Sequence, residues 1–231
     1  MSKINGLKVI AFDADDTLWE NETFFREAEL QFAELMKDYA PKEEALRILF
    51  GVEIENMPLY GYGIKAFVLS MIETGNLLSG FQMTASQTNQ LIEIGKDMLN
   101  KPVKLLNGVE EVLAHLSKDY KLIVATKGDL LDQERKLKKS GLLKYFHHIE
   151  VMSDKNTEAY RSLVNHLDIE TYELLMVGNS LKSDILPVLE LGSWGVHIPF
   201  HTTWQHEVVT KKVASDHFYE ISAMYELVPL L

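Results

Sequence analysis

Short runs of consecutive apolar residues recur along this chain, separated by segments with helical periodicity. The first run, residues 7–12, is apolar on adjacent positions, as is typical of a strand buried on both faces of a parallel sheet. Strands alternating with helices predict βαβ units and an α/β fold. Further strands are predicted at 121–126, 147–152, 173–178 and 194–198. The helical segments between them are 109–120, 129–140, 157–167 and 183–192.

Residues 19–104 interrupt this alternation. They contain no convincing buried strand, and their apolar residues recur at helical spacing. The pattern therefore predicts two domains: an α/β core formed by 1–18 and 105–231, and a helical insert formed by 19–104. The predicted helices of the insert are 24–39, 42–53, 63–75 and 85–99.

Composition narrows the class of protein. The 231 residues carry a net charge of −11, whereas proteins that bind nucleic acids usually present a basic surface. The densest basic stretch, residues 135–140, is interpreted as the solvated end of a helix, where cations suit the helix dipole. There is no cysteine, which excludes disulfides and thiolate metal sites. No apolar run approaches the roughly 18 residues that span a membrane, and the N-terminus lacks the pattern of a signal peptide. We expect a cytoplasmic protein without membrane or nucleic-acid partners.

Polar side chains follow the predicted strands at their carboxyl ends, where open α/β sheets bind ligands. Three aspartates follow the first strand, and further hydroxyl, amide, ammonium and carboxylate groups follow the later ones. Because parallel strands end at the same edge of a sheet, these groups are expected to converge. They are Asp13, Asp15, Asp16, Thr126, Lys127, Lys155, Asn179 and Asp184.

The chemistry of this set points to a cation and a phosphate. Crowded carboxylates repel one another unless a cation lies between them or one of them takes a proton. Oxygen ligands without histidine or cysteine favour Mg²⁺, which also binds phosphates. The Thr126 hydroxyl and the Lys155 ammonium suit phosphate oxygens.

Four stretches in order resemble the motifs of the haloacid dehalogenase superfamily. The sequence DADDT at 13–17 resembles its first motif, in which Asp-x-Asp-x-Thr follows an apolar strand. Thr126 after KLIVA resembles the second motif, Lys155 the third, and GNSLKSD at 178–184 the fourth. The resemblance implies a Rossmann-like core with an inserted α-helical cap, in the phosphatase branch of the superfamily.

The resemblance also implies a role for each residue. Asp13 would attack phosphorus and form an aspartyl-phosphate, while Asp15 would protonate the leaving alcohol and later deprotonate water. Thr126, Lys127 and Lys155 would bind the phosphoryl group. The metal, Mg²⁺, would be held by Asp13, Asp15 (through its backbone carbonyl), Asn179 and Asp184, the last through a water molecule or as a supporting partner.

Two positions depart from the family pattern. Asn179 stands where the family usually has an aspartate that binds the metal, so the resemblance implies weaker Mg²⁺ binding here. Asp16 stands where many relatives have glycine, and we assign it no catalytic role.

Several activities stay open at this point. A phosphatase of small phosphorylated metabolites is the main prediction. A haloacid dehalogenase is disfavoured, because that branch lacks the second aspartate, whereas a phosphomutase needs the same two aspartates. Asn179 also leaves room for a non-catalytic module that binds a phosphorylated ligand. The natural substrate is left open, and the expected assembly is a monomer or a homodimer.

Overall fold

A computed structural model describes residues 3–231, and this part of the chain divides into two compact units. The first unit comprises the residues up to 22 together with 103–127 and 133–231. The second comprises 23–102 and the short segment 128–132. The division into core and cap domains made from the sequence stays a prediction, and it does not anticipate the grouping of 128–132 with the second unit.

The first unit is built on a parallel sheet, which confirms the predicted α/β fold. Within the described residues the strand order is β3-β2-β1-β4-β5-β6, so the strand carrying the aspartates lies in the middle of the sheet. The last strand was not expected, because three residues are too few to show a pattern. The strands are β1 (Val9–Phe12), β2 (Lys121–Lys127), β3 (His148–Met152), β4 (Leu174–Gly178), β5 (Trp194–His197) and β6 (Phe218–Glu220).

Each predicted helical segment contains an α-helix, although some ends differ from the prediction by four or more residues. A π-helical turn, Leu181–Ile185, replaces the start of the last predicted helix. The α-helices are α1 (Glu22–Leu35), α2 (Lys42–Tyr60), α3 (Ile64–Leu78), α4 (Ala85–Asn100), α5 (Val109–Leu116), α6 (Leu130–Lys139), α7 (Thr157–Leu167) and α8 (Leu186–Leu191).

The apolar run of β1 is explained by packing on both faces of the sheet. Ile10 and Phe12 belong to a core on one face that includes residues of α5. Val9 and Ala11 point the other way, into a core that includes Tyr160 of α7 and residues of α8. All four strand residues are at most 1% exposed. A strand buried on both sides needs apolar side chains at every position, and this produces the consecutive pattern in the sequence.

The second unit contains α1 to α4 around a separate apolar core. Phe32, Met71 and Leu91 are fully buried in it. At Gly95 a β-carbon would lie 2.2 Å from Val68 Cγ2, so glycine lets α3 and α4 approach closely.

Helix α2 continues seven residues beyond its predicted end at 53 and contains Pro58. A proline removes one backbone donor, but in the last turn of a helix only a single hydrogen bond is lost. Gly61, with φ of +71°, then ends the helix.

No helix among the described residues combines the length and the apolar character that a bilayer span requires.

Candidate active site

A buried ion cluster forms where β1 ends. The Asp13 backbone N–H donates to Val177 O at 2.9 Å, which places Asp13 beside the end of β4. Lys155 Nζ donates to Asp13 Oδ1 at 2.5 Å and to Asp184 Oδ1 at 2.6 Å. All three side chains are at most 10% exposed. Three predicted site residues that are distant in the sequence are therefore in direct contact.

This cluster carries a surplus of negative charge. Two carboxylates share the one Lys155 ammonium. Burial raises the pKa of Asp13, and the Asp184 carboxylate adds to the effect, although the Lys155 ammonium opposes it. Burial lowers the pKa of Lys155, but Asp13 and Asp184 together outweigh burial and raise it. The cluster favours a cation, because a further positive charge would stabilise the ionised form of Asp13.

Thr17 joins the first motif to the fourth. Its hydroxyl donates to Asp13 Oδ2 at 3.1 Å and accepts the backbone N–H of Asn179 at 3.1 Å. Thr17 is 1% exposed. It therefore fixes the second oxygen of Asp13 and the position of Asn179 at the same time.

The Asn179 amide lies against two oxygens that could bind a metal. One terminal atom of the amide is 3.3 Å from Asp13 Oδ2 and 3.3 Å from the Asp15 backbone carbonyl oxygen. With the amide nitrogen in this place, it donates to both oxygens. With the amide oxygen there, it lies 3.3 Å from each of two other oxygens, and all three are donors of the kind that Mg²⁺ binds.

These donors fit Mg²⁺, but they offer it little charge. Within residues 3–231 no three histidine, aspartate or glutamate side chains are grouped as a metal site. A cation at this place would depend on one carboxylate, Asp13, together with the Asp15 carbonyl and the Asn179 amide oxygen. Weak binding is the expected consequence, since ligand charge sets much of the affinity for hard cations.

Asp184 makes a different set of contacts from the other predicted metal ligands. Its Oδ1 accepts from Lys155, and its Oδ2 accepts the Ser180 backbone N–H at 2.9 Å. A β-carbon at Gly178 would lie 2.2 Å from Asp184 Oδ2, so the glycine makes room for this carboxylate. The contacts describe a residue that orients Lys155 and the turn after β4.

The Asp15 carboxylate receives three hydrogen bonds. Trp19 Nε1 and Lys136 Nζ donate to Oδ1 at 2.7 and 2.6 Å. Gln133 Nε2 donates to Oδ2 at 2.8 Å. Asp15 is thus held from α6, an element that sequence reasoning did not connect with the site.

The two predicted phosphate-binding residues of β2 differ in their surroundings. Thr126 is 1% exposed, and its hydroxyl donates to the Lys127 carbonyl at 3.1 Å. Lys127 Nζ donates to Glu207 Oε1 at 2.6 Å and to Ser183 Oγ at 2.9 Å. A contact between Lys127 and substrate stays a prediction.

Glu207 connects three separate segments of the first unit. Besides Lys127, it accepts hydrogen bonds from the hydroxyls of Ser180 and Ser183. Burial by itself raises the pKa of Glu207, but the Lys127 charge and these hydrogen bonds outweigh burial and lower the pKa to about 2. The carboxylate is therefore ionised in the folded protein at any pH near neutrality.

Because of Glu207, the free energy of unfolding is expected to fall as the pH is lowered into the acid range. Because its pKa is about 2 in the folded protein and 4.5 ordinarily, the stabilisation is complete above about pH 5 and is lost as the pH falls towards 2. The shift corresponds to roughly 3 kcal/mol of unfolding free energy. Urea unfolding should show Glu207→Gln well below the wild type at pH 6, with the difference shrinking towards pH 3. The exposed Glu34→Gln should show no such difference, and a constant gap for Glu207→Gln would contradict the assignment.

The Asp16 side chain binds backbone groups and is not part of the ion cluster. Its carboxylate accepts the backbone N–H groups of Asn21 and Glu22, at the start of α1. The residue has φ of +63°, a conformation that aspartate tolerates better than most residues. Burial raises its pKa to about 8. That Asp16 has no catalytic role stays a prediction.

His197 supports the fourth motif from β5. Its Nε2 lies 3.0 Å from the Asn179 carbonyl oxygen, and its Nδ1 lies 2.9 Å from Glu220 Oε2. The side chain is 9% exposed. Nothing in the sequence marks this contact, and only the pairing of β4 with β5 reveals it.

Sequence reasoning missed several residues that contact the predicted site. A signal existed for two of them, because Gln133 and Lys136 are three apart and so share one face of a helix that follows the second motif. Thr17 was marked as well, as the threonine of the first motif, whereas no comparable signal marked Trp19, His197 and Glu207. The missed residues are Thr17, Trp19, Gln133, Lys136, His197 and Glu207.

Comparison with known proteins agrees with this geometry. The family model of haloacid dehalogenase-like hydrolases matches residues 7–192. Human N-acylneuraminate-9-phosphatase is 23% identical over 242 aligned positions, which cover 99% of this chain and 95% of the human protein. A haloacid dehalogenase-like family hydrolase from Xanthomonas campestris is 33% identical, with a TM-score of 0.87 over 100% of this chain and 96% of that one.

The fold by itself does not separate dehalogenases from phosphatases. The 2-haloacid dehalogenase of Pseudomonas syringae pv. Tomato DC3000 has a TM-score of 0.62 at 18% identity, with 97% of each chain covered. The reaction must therefore be argued from the side chains of the site.

Proposed function

This chain belongs to the haloacid dehalogenase-like hydrolase family, and from that premise we propose that it hydrolyses phosphate monoesters of small metabolites. One observation carries the proposal: a second aspartate, Asp15, follows the buried Asp13–Lys155 pair at the end of β1. A dehalogenase attacks carbon and releases halide, which needs no proton, whereas an alkoxide leaving group does. The similarity to a human phosphatase adds support at low identity.

In the first half of the proposed reaction, Asp13 is the nucleophile. A carboxylate oxygen of Asp13 forms a bond to phosphorus while the bond between phosphorus and the ester oxygen breaks. Asp15 gives its proton to that departing oxygen, and an alcohol leaves. Lys155 and the Thr126 hydroxyl bind the phosphoryl oxygens, and Lys155 also holds Asp13 in position.

In the second half of the proposed reaction, water hydrolyses the aspartyl-phosphate. The water oxygen attacks phosphorus, its proton passes to Asp15, and the bond between phosphorus and Asp13 breaks. Inorganic phosphate leaves, with Asp13 ionised and Asp15 protonated as at the start.

The proposed cofactor is Mg²⁺, which would be held by Asp13, the Asp15 carbonyl and the Asn179 amide oxygen. When bound, it supplies positive charge that stabilises the phosphoryl oxygens in the transition state. Asp184 would act on this site through Lys155.

Turnover of a generic ester tests the proposed function. We expect the protein to release p-nitrophenolate from p-nitrophenyl phosphate with Mg²⁺ present, and to lose this activity in EDTA. It should release no halide from 2-chloropropionate. Halide release without phosphatase activity would favour the dehalogenase instead. A panel of sugar phosphates, nucleotides and other phosphorylated metabolites would then identify the substrate.

Substitution of Asn179 tests the metal site directly. Asn179→Asp adds a negative charge where the amide now faces Asp13 Oδ2 and the Asp15 carbonyl. We expect the dissociation constant for Mg²⁺, measured by calorimetry, to fall roughly tenfold. Asn165 is exposed, and Asn165→Asp adds the same charge away from the site. This control should leave the dissociation constant for Mg²⁺ unchanged. Equal affinities of Asn179→Asp and wild type would contradict the placement of the cation.

A further inference from the structure

We propose that Gln133 and Lys136 are positioning residues for Asp15, and that Asp15 transfers its proton through Oδ2. The inference rests on the proposed phosphatase activity, and it concerns side chains of α6. Gln133 and Lys136 are three residues apart, so both lie on the face of α6 that reaches Asp15. Their donors contact different oxygens of the carboxylate, at 2.8 and 2.6 Å.

The two oxygens of Asp15 differ in how many hydrogen bonds they accept. An ionised carboxylate has about four acceptor positions, two on each oxygen. Oδ1 accepts from both Trp19 and Lys136, and this fills its two positions. Oδ2 accepts from Gln133 alone, so one position stays open among the described contacts. The proton that Asp15 exchanges with the leaving group and with water therefore has its place on Oδ2.

Lys136 differs from Lys138 and Lys139, two other cations of its basic stretch. Its side chain is 16% exposed, whereas Lys138 and Lys139 are exposed to solvent. The stretch as a whole was interpreted as a solvated helix end, but Lys136 turns inward to the site. An ammonium and an indole N–H can only donate, so neither Lys136 nor Trp19 competes with the leaving group for the proton.

Gln133 ties Asp15 to the loop of the second motif. It is 2% exposed, and its Nε2 donates both to Asp15 Oδ2 and to the Lys127 carbonyl, each at 2.8 Å. Its Oε1 is buried and has no hydrogen-bond partner within residues 3–231. The amide is thus held in the orientation that serves its two N–H groups, which fixes the direction of Oδ2.

The leaving group provides a test that a general loss of structure would not mimic. Glycerol 3-phosphate releases an alkoxide that needs the Asp15 proton, whereas p-nitrophenolate leaves without one. In the second half of the reaction both substrates give the same intermediate, and its hydrolysis needs Asp15 to accept a proton from water. Loss of Asp15 positioning should therefore spare only the first turnover of p-nitrophenyl phosphate.

The experiment compares Lys136→Met, Gln133→Met and the exposed Lys139→Met on both substrates, with Mg²⁺ and rapid mixing. For the first two variants we expect a p-nitrophenolate burst with a rate constant within about threefold of wild type. Steady-state turnover of p-nitrophenyl phosphate and kcat for glycerol 3-phosphate should then fall roughly 10- to 100-fold. Lys139→Met should match wild type on every measure.

Two results would overturn the proposal. Unchanged kcat for glycerol 3-phosphate in Lys136→Met and Gln133→Met would show that Asp15 does not depend on them. A burst slowed as much as glycerol 3-phosphate turnover would indicate a general disturbance of the site. Failure of the proposed function looks different: the wild type itself would hydrolyse neither ester, and the positioning roles would fall with it.

Discussion

Asp13→Asn is expected to lower phosphatase activity by roughly 10⁴-fold or more, because an amide cannot attack phosphorus as a carboxylate does. Asp13 is the carboxylate at the end of β1 that contacts Lys155 at 2.5 Å and the Thr17 hydroxyl at 3.1 Å. Steady-state hydrolysis of p-nitrophenyl phosphate with saturating Mg²⁺ measures the loss. Enzyme quenched with acid during turnover should carry a phosphoryl adduct in the wild type and none in the variant.

Asp16→Asn is the matched control for this prediction. It makes the same change three residues away, at a side chain that accepts two backbone N–H groups at the start of α1. An amide oxygen can accept these bonds, so activity should stay within about threefold of wild type. Equal activity of Asp13→Asn and Asp16→Asn would refute Asp13 as the nucleophile.

Lys155→Met is expected to produce the largest loss of stability together with a loss of activity. The substitution keeps the length of the side chain but leaves Asp13 and Asp184 facing each other, both buried, without their shared cation. Breaking a buried ion pair in this way costs about 3–5 kcal/mol of unfolding free energy. The cost should be greatest at pH 8 and smaller at pH 5, because protonation of one carboxylate relieves the repulsion. Urea unfolding in EDTA at the two pH values measures both effects.

The exposed Lys65–Asp129 pair provides the control. Lys65→Met removes an ion pair of 2.9 Å whose lysine side chain is 55% exposed. Such pairs contribute below about 1 kcal/mol, and the effect should hardly change between pH 5 and pH 8. A loss for Lys155→Met no larger than that for Lys65→Met would contradict the buried cluster.

The central strand and the residues at its end could be predicted because the signal is local. Burial on both faces requires apolar residues at every position from Val9 to Phe12, and a change to three aspartates marks the strand's end. The later strand ends repeat this change. Parallel strands must end at one edge of the sheet, so the meeting of Asp13, Lys155 and Asp184 follows from the order of elements alone.

The partners of these residues could not be predicted in the same way. The contact between Lys136 and Asp15 depends on the direction in which α6 leaves β2, and the basic stretch around it is typical of a solvated helix end. Glu207 lies in a segment without regular strands, and nothing in its neighbours marks it as the partner of Lys127. Long-range pairs of this kind leave no periodic pattern.

The sequence by itself determined the fold class, the family and the candidate chemistry of this protein. Burial of a strand and the polar residues at its end both produce patterns within a few consecutive residues. Only the tertiary structure decided which donors hold each carboxylate. It assigns Lys155 to Asp13 and Asp184, Lys136 to Asp15, and two backbone N–H groups to Asp16. The physical reason is that an ion pair or hydrogen bond is set by distances of about 3 Å, which the packing of distant elements establishes.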